Sequence, residues 1–370
     1  MGAEADAARL EGVRRIAVLR ANALGDFVVT LPALESLRAA YPDAELTLLG
    51  KEWHRDFLAG RPGPVDRVVA LPPVRGVSAA DRADAPPGPS DGFLAAMRAA
   101  RFDLALQLHG GGRFSNPFVR SLGARITAGL RDRDAEPLDR WTHFTHYQPE
   151  VPRFLEAVAL VGARPVTIQP RIAVTAADLA EAARELPPDG SEGRPLVAVH
   201  AGASDPRRRW PADRFALVAD AVAAVGARVV LTGSDAERAL VGRVAAAMRR
   251  PAVTLAGKLS LAGLAGLLSR CALVVGSDTG PLHLARAVGT PTVAVYWVGN
   301  LINAGPAGRS IHRALISFTV ACPVCGADAT SVRCPHDPSF VEAVPAADVL
   351  AEALDLLGSP QDIKNGRLYL

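Results

Sequence analysis

Short apolar segments alternate with amphipathic stretches along most of the chain. In the first half, four segments rich in β-branched and aliphatic residues have the length of strands and few polar positions, which is typical of parallel strands covered on both faces. These predicted strands are Arg14–Arg20, Ala44–Leu49, Val65–Ala70 and Leu104–Leu108. Helical periodicity predicts helices at Phe27–Ala40 and Phe93–Ala100. The chain therefore opens on a strand, a short loop and a helix.

The same pattern restarts after Leu186–Pro195, where Pro, Gly and Ser cluster. The later predicted strands are Leu196–His200, Arg228–Thr232, Ala252–Leu255, Leu273–Gly276 and Thr292–Tyr296, and the predicted helices are Arg214–Val225, Asp235–Arg249, Leu261–Arg270 and Pro281–Val288. Such alternation predicts an α/β protein with a doubly wound parallel sheet, and its repetition predicts two sheets. We predict Rossmann-like domains at residues 13–175 and 176–345, and a last helix at 346–358 that is a candidate to pack back on the first domain.

Composition and charge exclude several classes of protein. The 370 residues suffice for two domains, because one domain commonly takes about 150. No apolar run reaches the roughly 18 residues of a membrane span, and the acidic start of the chain does not resemble a secretory signal. We therefore predict a soluble, cytoplasmic protein. Lys and Arg outnumber Asp and Glu only by 41 to 38, without a long basic tract, so nucleic acid is not an expected partner.

Candidate chemistry lies in strand-to-helix loops, because ligands of open α/β sheets bind beyond the carboxyl ends of the strands. The loop Ala23–Asp26 has a glycine that permits a tight turn and ends in a carboxylate. Asp26 is either a functional carboxylate or a helix N-cap. The loop His200–Ser204 continues into three consecutive arginines, 207–209, and then Trp210. Guanidinium groups after a turn of small residues suit a phosphate, and a solvated basic loop is the alternative.

A third loop, Gly276–His283, joins a predicted buried strand to a helix. Free N–H groups at Thr279 and Gly280 would lie at the positive end of that helix, where a diphosphate fits. Asp278 is equally well explained as an N-cap and His283 as a core residue when each is taken alone.

Taken in this order, the loops resemble those of glycosyltransferase family 9, the heptosyltransferases of lipopolysaccharide core synthesis and their relatives. The resemblance covers Arg15 to about Val349. Its most specific pieces are Ala23–Asp26, Gly202–Ser204 continuing to Trp210–Pro211, Gly257–Lys258 followed by Leu261, and Asp278–His283 followed by Gly289–Pro291. It implies a GT-B fold, in which two Rossmann-like domains face a central cleft. It also implies inverting transfer of heptose or a related sugar, without a required metal, from a nucleotide-diphosphate donor, with ADP expected, to a glycoconjugate hydroxyl.

The resemblance assigns roles to single residues. Asp26 matches the family's catalytic base, and Asp235 is an alternative to Glu237 near the nucleoside. The positions that match donor-binding residues are Ser204, Arg208, Glu237, Lys258, Asp278, Thr279, Gly280 and His283. Heptosyltransferases usually have Thr and Lys where this chain has Ser204 and Arg208, so the identity of the donor stays open.

Acceptor recognition is expected in the first domain, after its fourth strand. The candidate residues are Gln107, His109, Arg113 and Asn116. The alternative is a glycine-rich turn that binds no ligand. The expected partners are a nucleotide-diphosphate sugar and a glycoconjugate acceptor that is lipid-linked or phosphorylated, with peripheral contact at the inner membrane surface.

Four soft metal ligands, Cys322, Cys325, Cys334 and His336, fall within 15 residues. A pair of cysteines two residues apart is typical of zinc sites, whereas a cysteine and a histidine one residue apart are not. Without a signal peptide, these cysteines are better interpreted as reduced thiols or metal ligands than as a disulfide framework. A structural zinc site and free thiols both stay open, and no other cofactor is expected.

Two other functions fit the same fold. A GT-B-like sugar-nucleotide epimerase would need carboxylates clustered around the sugar, and no further pair is evident in the sequence. A nucleotide-sugar-binding protein without catalysis would not need Asp26. A donor hydrolysis assay discriminates the inactive binding protein from the transferase.

Overall fold

The computed structural model describes residues 8–79, 84–186, 188 and 193–358. The chain divides into two compact units between Ala173 and Val174, two residues before the predicted domain boundary. Residues 187 and 189–192 of the predicted break in composition lie outside the described residues. Within the described ranges, no helix combines the length and the apolarity that crossing a membrane requires.

The first unit is built on a parallel sheet. Its strands are β1 (Arg15–Leu19), β2 (Glu45–Gly50), β3 (Arg67–Ala70), β4 (Leu104–Gln107), β5 (Ile126–Arg131) and β6 (Arg140–His143). Its helices are α1 (Leu24–Val28), α2 (Leu31–Ala40), α3 (Glu52–Leu58), α4 (Asp91–Ala99), α5 (Ser115–Ser121) and α6 (Glu150–Ala159). The strand order is β3-β2-β1-β4-β5-β6. Four consecutive residues of β1, Ile16–Leu19, are at most 1% exposed, so both faces of the sheet are covered.

The helix predicted at Phe27–Ala40 is two helices, α1 and α2. The break lies at Val29 and Thr30, and Pro32 occupies the first turn of α2. Proline lacks an N–H group, and its ring collides with the carbonyl four residues earlier, so one continuous helix through Pro32 is disfavoured. The prediction of a single helix was wrong for this reason.

The second unit repeats the architecture. Its strands are β7 (Leu196–His200), β8 (Arg228–Thr232), β9 (Val253–Thr254), β10 (Leu273–Ser277), β11 (Thr292–Trp297) and β12 (His312–Ser317). Its helices are α7 (Ala176–Glu185), α8 (Ala212–Ala224), α9 (Arg238–Ala247), α10 (Leu261–Arg270), α11 (Gly280–Ala287), α12 (Val298–Ala304) and α13 (Ala346–Gly358). The strand order is β12-β11-β10-β7-β8-β9. Two doubly wound parallel sheets confirm the predicted fold class.

The last helix, α13, packs within the second unit. Its buried residues Val349, Ala353 and Leu356 belong to the same core as Phe215 and Val218 of α8. These three residues follow helical spacing and form one apolar stripe, which α8 and the neighbouring strands cover. This packing makes α13 part of the core of the second unit.

Both sheets change winding direction at a central pair of strands. In the first unit the pair is β1 and β4, and in the second it is β7 and β10. The connections that follow the two strands of such a pair diverge, which leaves a crevice at their carboxyl ends where α/β proteins bind ligands. The predicted site loops follow these four strands, apart from Glu237 and Lys258, which follow β8 and β9.

Candidate functional site

Asp26 lies in the first turn of α1, directly after the loop that leaves β1. Its Oδ2 accepts a hydrogen bond from the N–H group of Ala23 at 3.1 Å. Because Ala23 is the N-cap residue and Asp26 lies three positions inside the helix, the alternative of Asp26 as N-cap is wrong. The carboxylate caps the helix start from within and is 36% exposed, so it is available to a ligand.

A buried arginine, Arg20, holds the Asp26 loop in place. Its Nε donates to the Asp26 carbonyl at 3.0 Å, and its Nη2 lies 3.4 Å from the Asp26 carboxylate and 3.0 Å from that of Glu150. Its Nη1 donates to the Leu108 carbonyl at 2.8 Å, and its guanidinium packs on the ring of Phe154 at 4.7 Å. Arg20 therefore links the loop after β1 and the loop after β4 to helix α6. Arg20 was not among the residues predicted from the sequence, although it is a charged residue at the end of an apolar strand.

Two of the residues predicted for acceptor recognition are buried and support the loop itself. Gln107 donates to the Gly110 carbonyl at 3.1 Å and to Ser115 Oγ at 2.7 Å. Asn116 donates to the carbonyl of Glu136 at 2.8 Å. Both side chains are buried, and their amide nitrogens are engaged with the chain, so these nitrogens help to position the loop.

The other two candidates are accessible. His109 is partly buried, and its Nδ1 accepts a hydrogen bond from the N–H group of Ala21 at 3.2 Å across the β1–β4 crevice. Burial, with the positive charges of Arg20 and Lys51, lowers the pKa of His109 to about 3. The imidazole is therefore neutral at neutral pH, and its Nε2 carries the proton. Arg113 is exposed, with its guanidinium 5.0 Å from the ring of Phe114.

In the second unit, four predicted residues form one hydrogen-bonded cluster across the crevice between β7 and β10. Arg208 Nη1 lies 3.1 Å from Asp278 Oδ2, and Arg208 Nη2 donates to Ser204 Oγ at 3.0 Å. The other Asp278 oxygen lies 3.2 Å from His283 Nε2. The cluster thus joins two connections that are 70 positions apart in sequence.

Asp278 is a buried carboxylate with two cationic or proton-donating neighbours. Burial alone would raise the pKa of Asp278, but the hydrogen bond and charge of His283, with the Arg208 guanidinium, outweigh it and lower the pKa. His283 is held in turn by Arg286, whose Nη1 lies 3.4 Å from His283 Nδ1 and 3.0 Å from the Ala304 carbonyl. Arg286 was missed in the sequence, where it resembles an ordinary basic residue in the last turn of a helix.

The cluster surrounds the start of α11. Thr279 is the N-cap residue, and Gly280 is the first helical residue. The first N–H groups of a helix have no partner within it and carry partial positive charge. The arginine of the cluster and these N–H groups together form a site suited to an anion.

The side chains of the three consecutive arginines have different partners. Arg207 makes a two-oxygen ion pair with Asp205, with Nη2 2.6 Å from Oδ2. Arg209 Nε donates to the Ala203 carbonyl at 2.9 Å. Only Arg208 of the three has its side chain on Ser204 and Asp278, so the prediction of a phosphate contact narrows to this residue.

Glu237 lies beside the loop that follows β7. Its Oε2 accepts hydrogen bonds from the N–H and hydroxyl groups of Ser234, both at 2.8 Å. A side chain at Gly202 would place Cβ 1.9 Å from Glu237 Oε1, so the carboxylate lies against the bare backbone of Gly202. Asp235, the alternative, is 82% exposed and pairs with Arg238, and Lys258 is exposed as well.

The four predicted metal ligands converge. One ligand atom from each of Cys322, Cys325, Cys334 and His336 lies within 4.8 Å of all the others. The cluster belongs to the segment between β12 and α13, not to the crevice between β7 and β10.

Two Rossmann-like units, one with an accessible carboxylate after its first strand and one with a site suited to an anion at a central helix, are the arrangement expected of a GT-B glycosyltransferase. The chain belongs to glycosyltransferase family 9 (heptosyltransferase), whose family model matches residues 93–322. It is 26% identical over 343 residues to lipopolysaccharide heptosyltransferase 3 of Escherichia coli, covering 90% of this chain and 97% of that protein.

Solved structures share the fold. The glycosyl transferase family 9 protein of Veillonella parvula DSM 2008 superposes with a TM-score of 0.76 at 22% identity, covering 95% of this chain and 99% of that one. The ADP-heptose LPS heptosyltransferase II of E. coli superposes with a TM-score of 0.71 at 20% identity, covering 93% and 98%.

Proposed function

We propose that this glycosyltransferase moves heptose or a related sugar from an ADP-linked donor to a hydroxyl group of a lipopolysaccharide-type acceptor, with inversion at the anomeric carbon. The observation that carries the proposal is the cluster of Ser204, Arg208, Asp278 and His283 around the start of α11. The names of the family 9 relatives above support the choice of donor and acceptor. We place the reaction in the cytoplasm, at the inner face of the membrane.

The donor diphosphate would bind at the start of α11. Arg208 directs one nitrogen at Asp278 and another at Ser204, and a hydroxyl can turn aside to let a phosphate oxygen take its place. A guanidinium and helix N–H groups aimed at one point stabilise the negative charge that develops on a departing diphosphate. Asp278 holds Arg208 in that orientation.

Asp26 would act as the general base. In an inverting transfer the acceptor oxygen attacks the anomeric carbon as the bond to the diphosphate breaks, and the acceptor's proton passes to the base. The exposed carboxylate of Asp26 can take that proton, and Arg20 holds the backbone and carboxylate in place. Because the proposed base and the proposed donor site belong to different units, a change in Asp26 should leave donor affinity intact.

The acceptor would bind the first unit. A cavity of about 820 Å³ at the carboxyl ends of β2 and β3 is lined by Lys51, Trp53 and Phe93 among others. Aromatic rings suit the apolar faces of sugars, and Lys51 suits a phosphate or carboxylate. His109 and Arg113 are the accessible residues of the neighbouring connection after β4.

The transfer of sugar from ADP-heptose to a lipopolysaccharide core acceptor tests the proposal, with Asp26→Asn as the key variant. Asn keeps an oxygen for the N–H group of Ala23 but cannot accept a proton, so we expect turnover to fall about 10²- to 10⁴-fold. Donor affinity, measured by thermal shift with ADP and ADP-sugar, should stay within a few fold.

Two results would contradict this assignment. One is transfer by Asp26→Asn at the wild-type rate. The other is stabilisation of the wild-type protein by a nucleotide sugar of another base while ADP and ADP-heptose have no effect.

A further inference from the structure

The thiol and imidazole cluster is compact enough for one metal ion. In a tetrahedral zinc site with bonds of about 2.3 Å to sulfur and 2.0 Å to nitrogen, ligand atoms lie roughly 3.5–3.8 Å apart. The ligand atoms of this cluster all lie within 4.8 Å of one another, so modest side-chain rotation closes the site. We propose that Cys322, Cys325, Cys334 and His336 bind one structural zinc ion that fixes the segment between β12 and α13.

The first half of the site is a tight turn. The N–H group of Gly326 donates to the Cys322 carbonyl, and that of Cys322 donates to the Ala327 carbonyl, both at 2.8 Å. Gly326 has φ +72°, a conformation that other residues adopt at a cost. Backbone N–H groups of Val324 and Cys325 interact with the Cys322 sulfur. The turn therefore brings the two sulfurs together and directs N–H groups toward one of them, as a pair of thiolate ligands requires.

The second half has an unusual spacing that the structure explains. Arg333 Nη1 donates to the carbonyls of Cys334 at 2.7 Å and His336 at 3.0 Å, and the same guanidinium pairs with Asp337. This clamp folds the cysteine and the histidine toward one point. Nδ1 of His336 is buried without a hydrogen-bond partner in the described part of the chain, and a metal ion would satisfy a ring nitrogen at such a place.

The surrounding segment has little else to order it. In the described chain, residues 318–339 form neither a helix nor a strand. Cys322 is their only buried side chain, and Phe318, Val324 and Val332 are 71%, 62% and 55% exposed. Buried apolar surface offsets little of the conformational entropy that ordering removes here. A bound metal is a common means of fixing such a segment.

A disulfide would not serve all four residues. The three cysteines of the cluster are free thiols, and a bond between Cys322 and Cys325 would leave Cys334 and His336 without a role. Zinc binding by three thiols and one imidazole releases up to three protons and leaves a site of net charge −1.

The end of this segment contacts the backbone of two of the three consecutive arginines. Ser339 Oγ donates to the Arg209 carbonyl, and the N–H group of Phe340 donates to the Arg207 carbonyl, both at 2.7 Å. These two contacts flank Arg208. Zinc would therefore support the backbone on which Arg208 stands, and this part of the inference rests on the proposed donor site.

Metal analysis of the full-length protein, purified without chelators, tests the proposal. We expect about one zinc per chain in the wild type and in the control Cys271→Ser, which removes a buried thiol outside the cluster. The double variant Cys325→Ser/Cys334→Ser should bind zinc more than tenfold more weakly, with ADP affinity reduced. If the double variant does not fold, extraction of zinc from the wild type should lower its melting temperature, and added zinc should restore it.

Wild-type protein that holds no zinc after zinc loading and gel filtration would overturn the site, as would a double variant that retains it. One equivalent of iron instead would overturn the assignment to zinc. Unchanged ADP affinity in the zinc-free protein would overturn the link to Arg208. Metal content is measured without substrate, so a failure of the proposed transfer reaction would be separately visible.

Discussion

At the scale of single residues, the second unit has one arginine whose role differs from those of its neighbours. Arg207 and Arg209 are engaged with Asp205 and a backbone carbonyl, whereas Arg208 faces Ser204 and Asp278. Residue types alone did not separate the three guanidinium groups, and the family resemblance assigned the donor contact to Arg208. Their separation arises because a turn of 3-10 helix at Pro206–Arg208 points successive side chains in different directions.

The change Arg208→Gln should weaken ADP binding about 10- to 100-fold, because a hydrogen bond to a charged group contributes about 1.5–3 kcal/mol. Arg208→Lys keeps the charge and should recover part of the loss. Isothermal titration with ADP measures both. The matched control is Arg243→Gln, which removes an exposed arginine of α9 in the same unit. Equal affinities of Arg208→Gln and the control would exclude Arg208 from the donor site.

At the scale of elements, Gly276 and Gly202 each allow a neighbouring group to lie where a side chain would otherwise be, but the two neighbouring groups differ in kind. A Cβ at Gly276 would lie 2.5 Å from Leu282 Cδ2 and 2.7 Å from the His200 carbonyl oxygen, so β10, α11 and β7 meet there. The three atoms nearest to a Cβ at Gly202 would be the carboxylate atoms of Glu237. The first neighbour includes rigid backbone, and the second is a flexible side chain.

We therefore expect Gly276→Ala to lower the free energy of unfolding by about 1–3 kcal/mol, because backbone cannot yield as a side chain does. Gly202→Ala should lower the free energy of unfolding by about 1 kcal/mol, because Glu237 can move away at the loss of its hydrogen bonds to Ser234. It should weaken ADP binding severalfold if that carboxylate contacts the donor. Urea unfolding and ADP titration of both variants measure these effects. A Gly202→Ala protein as unstable as Gly276→Ala would contradict this account.

At the scale of the whole molecule, both units keep histidines neutral by burying them. Burial lowers the pKa of His54 and His109 to about 3 and that of His312 to about 4, with nearby positive charges adding to it. Burial also lowers the pKa of His200. In the unfolded chain these groups titrate near 6.5, so the unfolded state binds more protons between the two values. The contribution of these neutral histidines to the free energy of unfolding is therefore fully present above pH 6.5. It is lost as the pH falls toward 3–4.

His54 provides a direct test. Its Nδ1 accepts from the N–H group of Lys51 at 3.0 Å, and its ring packs on Phe27 and Trp53. Between pH 7 and pH 5 its titration should remove about 2 kcal/mol of stability. His54→Asn keeps an acceptor for Lys51 but loses the ring contacts with Phe27 and Trp53, so it should be less stable than the wild type at pH 7. Between pH 7 and pH 5 it should lose about 2 kcal/mol less than the wild type.

Urea unfolding at pH 7 and pH 5 measures the difference. His146→Asn, which replaces an exposed histidine, is the control and should follow the wild type. Carboxylates titrate equally in all three proteins, so their contributions cancel. Identical pH dependence of His54→Asn and the wild type would show that His54 is not kept neutral by burial.

Fold class and site loops were largely encoded in local sequence. Runs of buried residues such as those of β7 and β10 are continuous and apolar, so periodicity found them. The later elements of the first unit, β5, β6, α5 and α6, were missed because polar residues interrupt their patterns; β6, for example, reads RWTH. In the second unit α7, α12 and β12 were missed as well. Asp26 and the Asp278–His283 loop were found because each follows a strand that the pattern had already located.

The sequence by itself determined two doubly wound α/β units and the residue types at the ends of their central strands, because these depend on spacing over a few residues. Only tertiary structure decided which side chains meet. Arg20 reaches the Leu108 carbonyl across 88 positions, and Arg208 reaches Asp278 across 70. Such pairs exist because sheet order places β1 beside β4 and β7 beside β10, and sheet order results from the packing of the whole unit, which no local pattern records.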